Sequence, residues 1–262
     1  MHSKQEILNS FSKLIDVMDE LREKCPWDKQ QTFMSLKNNT IEEVFELADA
    51  VSEQDKNLIK KELGDVLLHV VFYSKIASET DDFDLKDVCD EIVKKLIFRH
   101  PHIYSDITAE TPEEVKQNWE ELKLLEKDGN KRVLSGVPAA LPAMIKANRI
   151  QEKAASIGFD WEYREQVWDK VREEFLEFKQ EVEKNDADKM ESEFGDLIFS
   201  LINAARLYKI DPENALERTN RKFISRFNYL EDNTLRQGKD LHKMTLAEMD
   251  KIWEEAKKIT EK

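Results

Sequence analysis

Two clusters of carboxylates in this 262-residue chain share one spacing. Glu42-Glu43-Val44-Phe45-Glu46 is answered by Glu62-Leu63-Gly64-Asp65, and Glu173-Glu174-Phe175-Leu176-Glu177 by Glu193-Phe194-Gly195-Asp196. Glu43, Glu46, Glu62 and Asp65 recur 131 residues on (174 − 43, and likewise for the others) as Glu174, Glu177, Glu193 and Asp196. Residues three apart share a helix face, and the polar break Ser52-Glu53-Gln54-Asp55-Lys56-Asn57 reads as the turn of a helical hairpin. In an antiparallel hairpin residue 43 then lies level with 65 and 46 with 62, and the second copy pairs in the same way. Packed helices run about 8–10 Å apart, so four carboxylates in each copy stand at the corners of a small rectangle. Like charges that close repel in a partly dry site and call for cations. An oxygen-only donor set suits Mg²⁺ or Mn²⁺.

A plainer reading competes with this one. Asp and Glu number 55, so a single Glu-x-x-Glu on a solvated helix face is ordinary here, and Thr40-x-x-Glu43 also fits a capping box. Two copies with the same spacing and level pairing favour the metal site. Gly64 and Gly195 precede the two Asp residues at positions where Gly costs about 1 kcal/mol relative to Ala, which predicts close helix packing or room for a ligand.

The elements that must position these acids are helical. Six Gly and six Pro amid abundant Glu, Lys and Leu describe an all-α protein. A net charge of −14 argues against nucleic acid as a partner. Cys25 and Cys89 have no zinc-ligand spacing, and no apolar run is long enough for a bilayer. The N-terminus lacks an apolar signal core, so the expected location is cytoplasmic.

Taken in order, an amphipathic helix capped by Ser3-x-x-Glu6 runs to Leu21, and Cys25-Pro26-Trp27-Asp28 breaks it. Trp27 reads as a packing anchor more readily than as a ligand contact. The hairpin helices are expected at about 41–53 and 56–78, with His69 a core histidine. A helix from about Leu85 is stopped by Pro101, and Thr111-Pro112 opens the next. The loosened stretch 127–142 is read as a linker between domains at 1–126 and 143–262. A helix then runs to Gly158, the second hairpin spans about 163–184 and 188–208, Asp211-Pro212 starts another helix, and Thr245 caps the last.

The duplication is longer than the acidic motif. Each half runs Glu-Glu-x-x-Glu, Glu-x-x-Asp, a Lys and Arg four apart (Lys95 and Arg99; Lys222 and Arg226), then Trp-Glu-Glu (Trp119; Trp253). The Lys and Arg suit phosphates or simply decorate a solvated face, and each Trp suits a base or the core.

With these residues the sequence resembles the MazG family of the all-α NTP pyrophosphatase superfamily over nearly its whole length. The resemblance includes Cys25-Pro26-Trp27-Asp28, Arg99-His100-Pro101-His102, Val133 to Pro138, Gln151-Glu152-Lys153-Ala154-Ala155 and Gly158-Phe159-Asp160-Trp161. It implies two tandem helical-bundle domains, a homodimer, and Mg²⁺-dependent conversion of nucleoside triphosphate to monophosphate and pyrophosphate. It makes Glu174, Glu177, Glu193 and Asp196 the second domain's metal ligands, and by the repeat Glu43, Glu46, Glu62 and Asp65 the first's. Glu42, Glu43, Glu173 and Glu174 are the candidate catalytic carboxylates. Nucleotide contacts are expected from Lys170, Val171, Arg172, Glu173 and Glu174; from Lys189, Met190, Glu191, Ser192 and Asp196; from Lys222, Phe223, Ile224, Ser225 and Arg226; and from Trp253. Lys95, Arg99 and Trp119 are their counterparts in the first domain.

The physical logic agrees: a divalent ion polarises phosphates and acidifies a coordinated water, while Lys and Arg neutralise developing charge. A di-iron bundle needs Glu-x-x-His, and no His follows a Glu at that spacing. An HD-type phosphohydrolase fails because no His is followed by Asp. A non-catalytic helical module that binds nucleotide or protein remains the alternative. Lys170 stands one turn before Glu174, where the matched position of the first half holds Asn39. The second domain is therefore expected to carry most of the turnover, with Lys37 and Lys60 the cations available to the first.

Overall fold

The computed structural model describes residues 1–105, 111, 115, 122, 132–238 and 240–260. Helices and short 3-10 turns are joined by loops, and no strand occurs among the described residues. The chain forms two compact units, Met1–Leu122 and Lys123–Lys262.

In the first unit, α1 (Lys4–Lys24) begins with both halves of the Ser3/Glu6 capping box and ends at Cys25, before Pro26. α2 (Phe33–Glu53) and α3 (Lys56–Ser78) form the acidic hairpin. The α2 helix starts eight residues earlier than expected (41 − 33). Thr32 caps it together with Ser35, which leaves Thr40 inside the helix. There the Thr40 hydroxyl bonds the Leu36 carbonyl at 3.0 Å and lies 2.9 Å from His69 Nδ1 and 2.7 Å from the Tyr73 hydroxyl. Thr40 and Glu43 are thus no capping box. α3 packs against α1 around Met18, Leu36, Val71, Phe72 and Ile76, each worth about 1.5–3 kcal/mol when fully buried. His69 sits in that interior, 8% exposed, as its apolar surroundings in the sequence suggested. α4 (Leu85–Arg99) packs on α3, and Pro101 opens the single-turn α5 (Pro101–Tyr104).

The loop 25–32 is held by Arg22. Its guanidinium donates to the Asp28 and Gln31 carbonyls and to both oxygens of Glu79, at 2.9 and 2.5 Å for the latter. Trp27 in that loop is 56% exposed and is not the packing anchor expected of it.

In the second unit a 3-10 turn, Val133–Gly136, lies within the expected linker and packs on α6 (Ala143–Ser156). Gly158 follows α6 with φ +86°, a conformation that suits glycine. α7 (Val167–Lys184) and α8 (Ala187–Leu207) form the second acidic hairpin, and α6 packs on α8. α9 (Pro212–Arg236), capped by Asp211, pairs with α10 (Leu246–Thr260), where Thr245 and Glu248 exchange capping bonds.

The repeat extends into the turns. Gln54 and Asn185, 131 apart (185 − 54), end their helices at φ 57°, and the next residues, Asp55 and Asp186, cap the following helices with their side chains.

Candidate functional site

Both hairpins bring their acids together. In the first, one carboxylate oxygen each from Glu43 on α2 and from Glu62 and Asp65 on α3 lie within 4.8 Å of one another. Glu46 completes the set less tightly: its carboxylate lies 3.9 Å from Lys61 Nζ, which is also 2.8 Å from Glu62 and 3.7 Å from Asp65. The expected rectangle is therefore three close acids and a fourth joined through an ammonium. Glu42 is exposed. Burial, then repulsion from Asp65, Glu46 and Glu62, pushes the Glu43 carboxyl above its ordinary value, although Lys61 opposes this.

In the second hairpin Glu174 joins two such groups, one with Glu193 and Asp196 and one with Glu173 and Glu177. Lys170 Nζ lies 2.6 Å from both Glu173 and Glu174, and these two hydrogen bonds hold its ammonium well above the usual lysine range. The Glu177 carboxyl is pushed up, first by desolvation and then by Glu174, Glu193 and Glu173.

Three observations fit a hard divalent cation. The donors are all carboxylate oxygens. Those oxygens lie within 4.8 Å of one another, close enough to repel, and this repulsion adds to burial in raising Glu43 and Glu177. Glu62, 1% exposed, has an Oε2 with no hydrogen-bond partner among the described residues. A buried carboxylate oxygen left unpaired is costly, and a cation between α2 and α3 would relieve it.

A Cβ built on Gly64 or Gly195 would meet nothing within 4 Å. Among the described residues neither glycine serves close helix packing, so of the two expectations only the room remains.

Beside the second set lies a cleft of about 690 Å³, within the range of small-molecule sites. Lys170, Glu174 and Asp196 line it together with residues from α6, α8 and the loop after α6. The loop is fixed by Asp160, which accepts 2.9 and 2.5 Å hydrogen bonds from Arg206 and a 2.9 Å bond from the Trp161 N–H. Burial opposes ionisation of Asp160, but the Arg206 and Trp161 bonds outweigh it and hold the carboxyl below its usual value.

The remaining expected contacts are more scattered. Arg172 is exposed and pairs with Asp169 at 3.4 Å, while Val171 is half-buried. Lys189 pairs with the cap Asp186 at 3.5 Å. Met190 is half-buried, and Glu191 and Ser192 are exposed on the first turns of α8. On α9, Lys222, Phe223, Ile224 and Ser225 are exposed and Arg226 is half-buried. The Phe223 ring packs on Trp253 of α10, centroids 5.0 Å apart. Lys95 is exposed and Arg99 half-buried on α4. Trp119 lies outside the described residues.

Two features were missed from the sequence. Lys61, not Lys37 or Lys60, is the cation at the first set. Its signal was the four-residue spacing to Asp65, one helical turn on the same face. The cleft residues Gln151, Phe159 and Trp161 stood in quoted motifs without a role, since only the packing of α6 on α8 brings them beside the acids.

The MazG nucleotide pyrophosphohydrolase domain matches residues 31–104 and 164–230, one segment on each acidic hairpin. The nucleoside triphosphate pyrophosphohydrolase/pyrophosphatase MazG of Thermotoga maritima is 41% identical over 94% of this chain and 95% of its own. The nucleoside triphosphate pyrophosphohydrolase of Escherichia coli K12 is 38% identical over 96% of this chain and 98% of its own. The uncharacterised protein YabN of Bacillus subtilis is 43% identical over 96% of this chain but only 52% of its own length.

Proposed function

The chain belongs to the MazG nucleotide pyrophosphohydrolase family, and we propose that it hydrolyses nucleoside triphosphates to nucleoside monophosphate and pyrophosphate with the help of Mg²⁺, or Mn²⁺ in its place. The two near-complete relatives named for this activity support the reaction. The observation that carries the site is the second carboxylate set, Glu174, Glu193 and Asp196 with Glu173 and Glu177, opening into a nucleotide-sized cleft.

In this reading Glu174, Glu177, Glu193 and Asp196 hold the cation in the second domain, and Glu43, Glu46, Glu62 and Asp65 in the first. A bound divalent ion supplies Lewis-acid polarisation of phosphate oxygens and a more acidic water. Lys170 exchanges its carboxylate partners for a phosphate when substrate arrives, because a charge-assisted bond to phosphate replaces one to Glu173 or Glu174. In this reading Glu173, exposed and bonded to Lys170, and its counterpart Glu42 take the proton. Lys222 and Arg226, and Lys95 and Arg99 in the first domain, supply further positive charge toward the phosphates. The use of triphosphates in this reading is broad in base.

The same reading makes the protein a homodimer. Phe45, Leu63, Phe194 and Leu201 are between 45% and 52% exposed on the acidic hairpins, and the helix surface above Gly64 and Gly195 is open. Exposed apolar faces of this kind mark association surfaces. Light scattering that finds a monomer at micromolar concentration would remove this part. No helix among the described residues is long and apolar enough to cross a membrane.

The test is pyrophosphate release from a panel of triphosphates with and without Mg²⁺. Pyrophosphate and monophosphate are expected only with the metal. Diphosphate and inorganic phosphate as products would place the chain in another reaction class.

A further inference from the structure

Thr40 on α2 stands one helical turn before Glu43, and His69 on α3 stands one turn after Asp65. Between them lies a polar rung that joins the two helices. The Thr40 hydroxyl meets the Leu36 carbonyl at 3.0 Å, His69 Nδ1 at 2.9 Å and the Tyr73 hydroxyl at 2.7 Å. A carbonyl can only accept, so the single hydroxyl proton of Thr40 goes to Leu36. Its two lone pairs then accept the Nδ1–H of a neutral His69 and the O–H of Tyr73. This arrangement uses the full capacity of the threonine oxygen and ties α2 to α3 through it twice. Tyr73 continues the join toward the start of α2, where its ring stacks on Phe33 with centroids 5.7 Å apart and planes 4° from parallel.

The acids one turn on act in the opposite sense. Glu43, from α2, has a carboxylate oxygen within 4.8 Å of oxygens from Glu62 and Asp65 of α3. Until a cation binds, their repulsion works to part the helices at that level. Lys61 offsets some of it, but its ammonium lies 2.8 and 3.7 Å from the two acids of its own helix and 3.9 Å from Glu46. Apolar packing is non-directional and resists sliding weakly, whereas two directed hydrogen bonds to one oxygen fix both separation and level. The second hairpin shows that the fold does not need the rung. The positions 131 residues on are Val171, Ser200 and Ala204 (171 − 40, 200 − 69, 204 − 73). Val171 and Ala204 have no polar side-chain atom, and the Ser200 hydroxyl bonds the Leu197 carbonyl of its own helix at 2.8 Å. Ser200 lines the cleft instead.

We propose that Thr40, His69 and Tyr73 are positioning residues of the first carboxylate set: their rung holds α2 against α3 so that Glu43 stays beside Glu62 and Asp65, ready for a divalent cation. The proposal rests on the reading of that set as a cation site, and it adds three residues that act through the ligands rather than on the ion. Ligands held in place before the ion arrives lose less freedom on binding, which raises affinity. Residues that orient metal ligands from outside are worth roughly ten- to a hundredfold in affinity. The Thr40 hydroxyl is the centre of the device. Serine would keep that oxygen, and valine would keep the shape without it.

The test is Mn²⁺ binding to the full chain carrying Glu174→Gln and Glu193→Gln, which weaken the second set, followed by the electron paramagnetic resonance of the free ion. Binding that disappears on adding Glu43→Gln is that of the first set. In this background Thr40→Val is expected to weaken it roughly tenfold and Tyr73→Phe roughly threefold. Thr40→Ser is expected to restore the original affinity, because it returns the oxygen. Met18→Ala, which opens a cavity from α1 in the same core, separates positioning from stability. It should lower the urea midpoint and leave Mn²⁺ affinity unchanged. Unchanged affinity in Thr40→Val, or an equal loss in Thr40→Ser or Met18→Ala, overturns the positioning role while the cation site stands. If the first set binds no Mn²⁺ with the rung intact, the cation reading of that set fails and the proposal falls with it. Should Thr40→Val not fold, Tyr73→Phe decides, and an unchanged affinity there overturns the rung.

Discussion

Lys61 Nζ lies 2.8 Å from Oε1 of Glu62, the most deeply buried carboxylate of the first hairpin. The second hairpin makes the same kind of bond with different residues: Lys170 lies 2.6 Å from Glu174, 6% exposed. The repeat does not align the two pairs. Position 61 corresponds to Ser192 and position 170 to Asn39. In the first copy the ammonium and the buried acid both come from the second helix of the hairpin, and in the second copy both come from the first. An acidic set of this density needs a positive charge wherever it forms, and the two halves supply it from opposite helices of the hairpin.

A metal entering the first set must therefore displace Lys61. Lys61→Met removes that competitor, so Mn²⁺ is expected to bind the first set roughly tenfold more tightly, solvent around the 62% exposed Lys61 side chain keeping the effect from being larger. Calorimetric titration of the full chain carrying Glu174→Gln and Glu193→Gln, which weaken the second set, reads the first alone. Weaker binding in the Lys61→Met background would show that the ammonium helps to hold the ligands rather than competing for them.

Arg22 fastens the loop carrying Cys25-Pro26-Trp27-Asp28 to α3's end, through two carbonyls and Glu79. Arg22 is 9% exposed but the Glu79 side chain is 39% exposed, so solvent screens part of the pair. Arg22→Ala is expected to cost about 2–3 kcal/mol in the first unit, chiefly from two orphaned carbonyls and a lost fork. Arg22→Lys should recover little, since an ammonium cannot reproduce the fork. Hydrogen exchange in residues 25–32 and urea unfolding check this, and full recovery with Lys would show that charge alone suffices.

His69 makes the first unit sensitive to acid. Burial pushes its imidazole below the ordinary value, with Asp65 opposing. Below about pH 6.5 the unfolded chain takes up a proton that the folded imidazole still refuses. The stability His69 contributes is thus present above that pH and lost as pH falls through the folded value. The unfolding midpoint of wild type should drop more steeply between about pH 7 and pH 5 than that of His69→Gln. Parallel pH profiles would mean that the ring accepts its proton in the folded state.

What could be read in advance was local. Helix starts at Ser3, Asp211 and Thr245 follow from side chains bonding amides three residues on, and the hairpin register follows from helical periodicity alone. The start of α2 was misplaced because Thr32 and Thr40 both offer a cap. Only the contact of Thr40 with His69 and Tyr73, 29 and 33 residues away, decides between them. The Gln151–Phe199 bond, which fixes the amide in the cleft, spans 48 residues. No spacing rule reaches that far. The identity of the lysine at each acidic set was hidden for another reason: with 41 basic residues in the chain, several stand one turn from an acid, and packing selects among them.

The asymmetry between the two halves bears on which one turns over substrate. Lys170 touches Glu173 and Glu174 and also lines the cleft, so a triphosphate seated there meets its ammonium directly. Lys61 lies near three carboxylates of the first set, and Glu62 beside it is almost wholly buried. Both ammoniums touch a candidate metal ligand, but Lys170 also stands at the cleft wall, where a phosphate can take it over. Glu174→Gln is therefore expected to lower kcat at least a hundredfold in the otherwise intact protein, the scale of losing a group that holds the reacting charge. Glu43→Gln should cost less than about threefold, within the range of an indirect effect. Both variants are assayed by pyrophosphate release at saturating Mg²⁺, with circular dichroism to confirm the helical fold. If Glu43→Gln abolishes turnover while Glu174→Gln spares it, the first hairpin is the working site, and Lys61 must then act on the substrate rather than on the ligands.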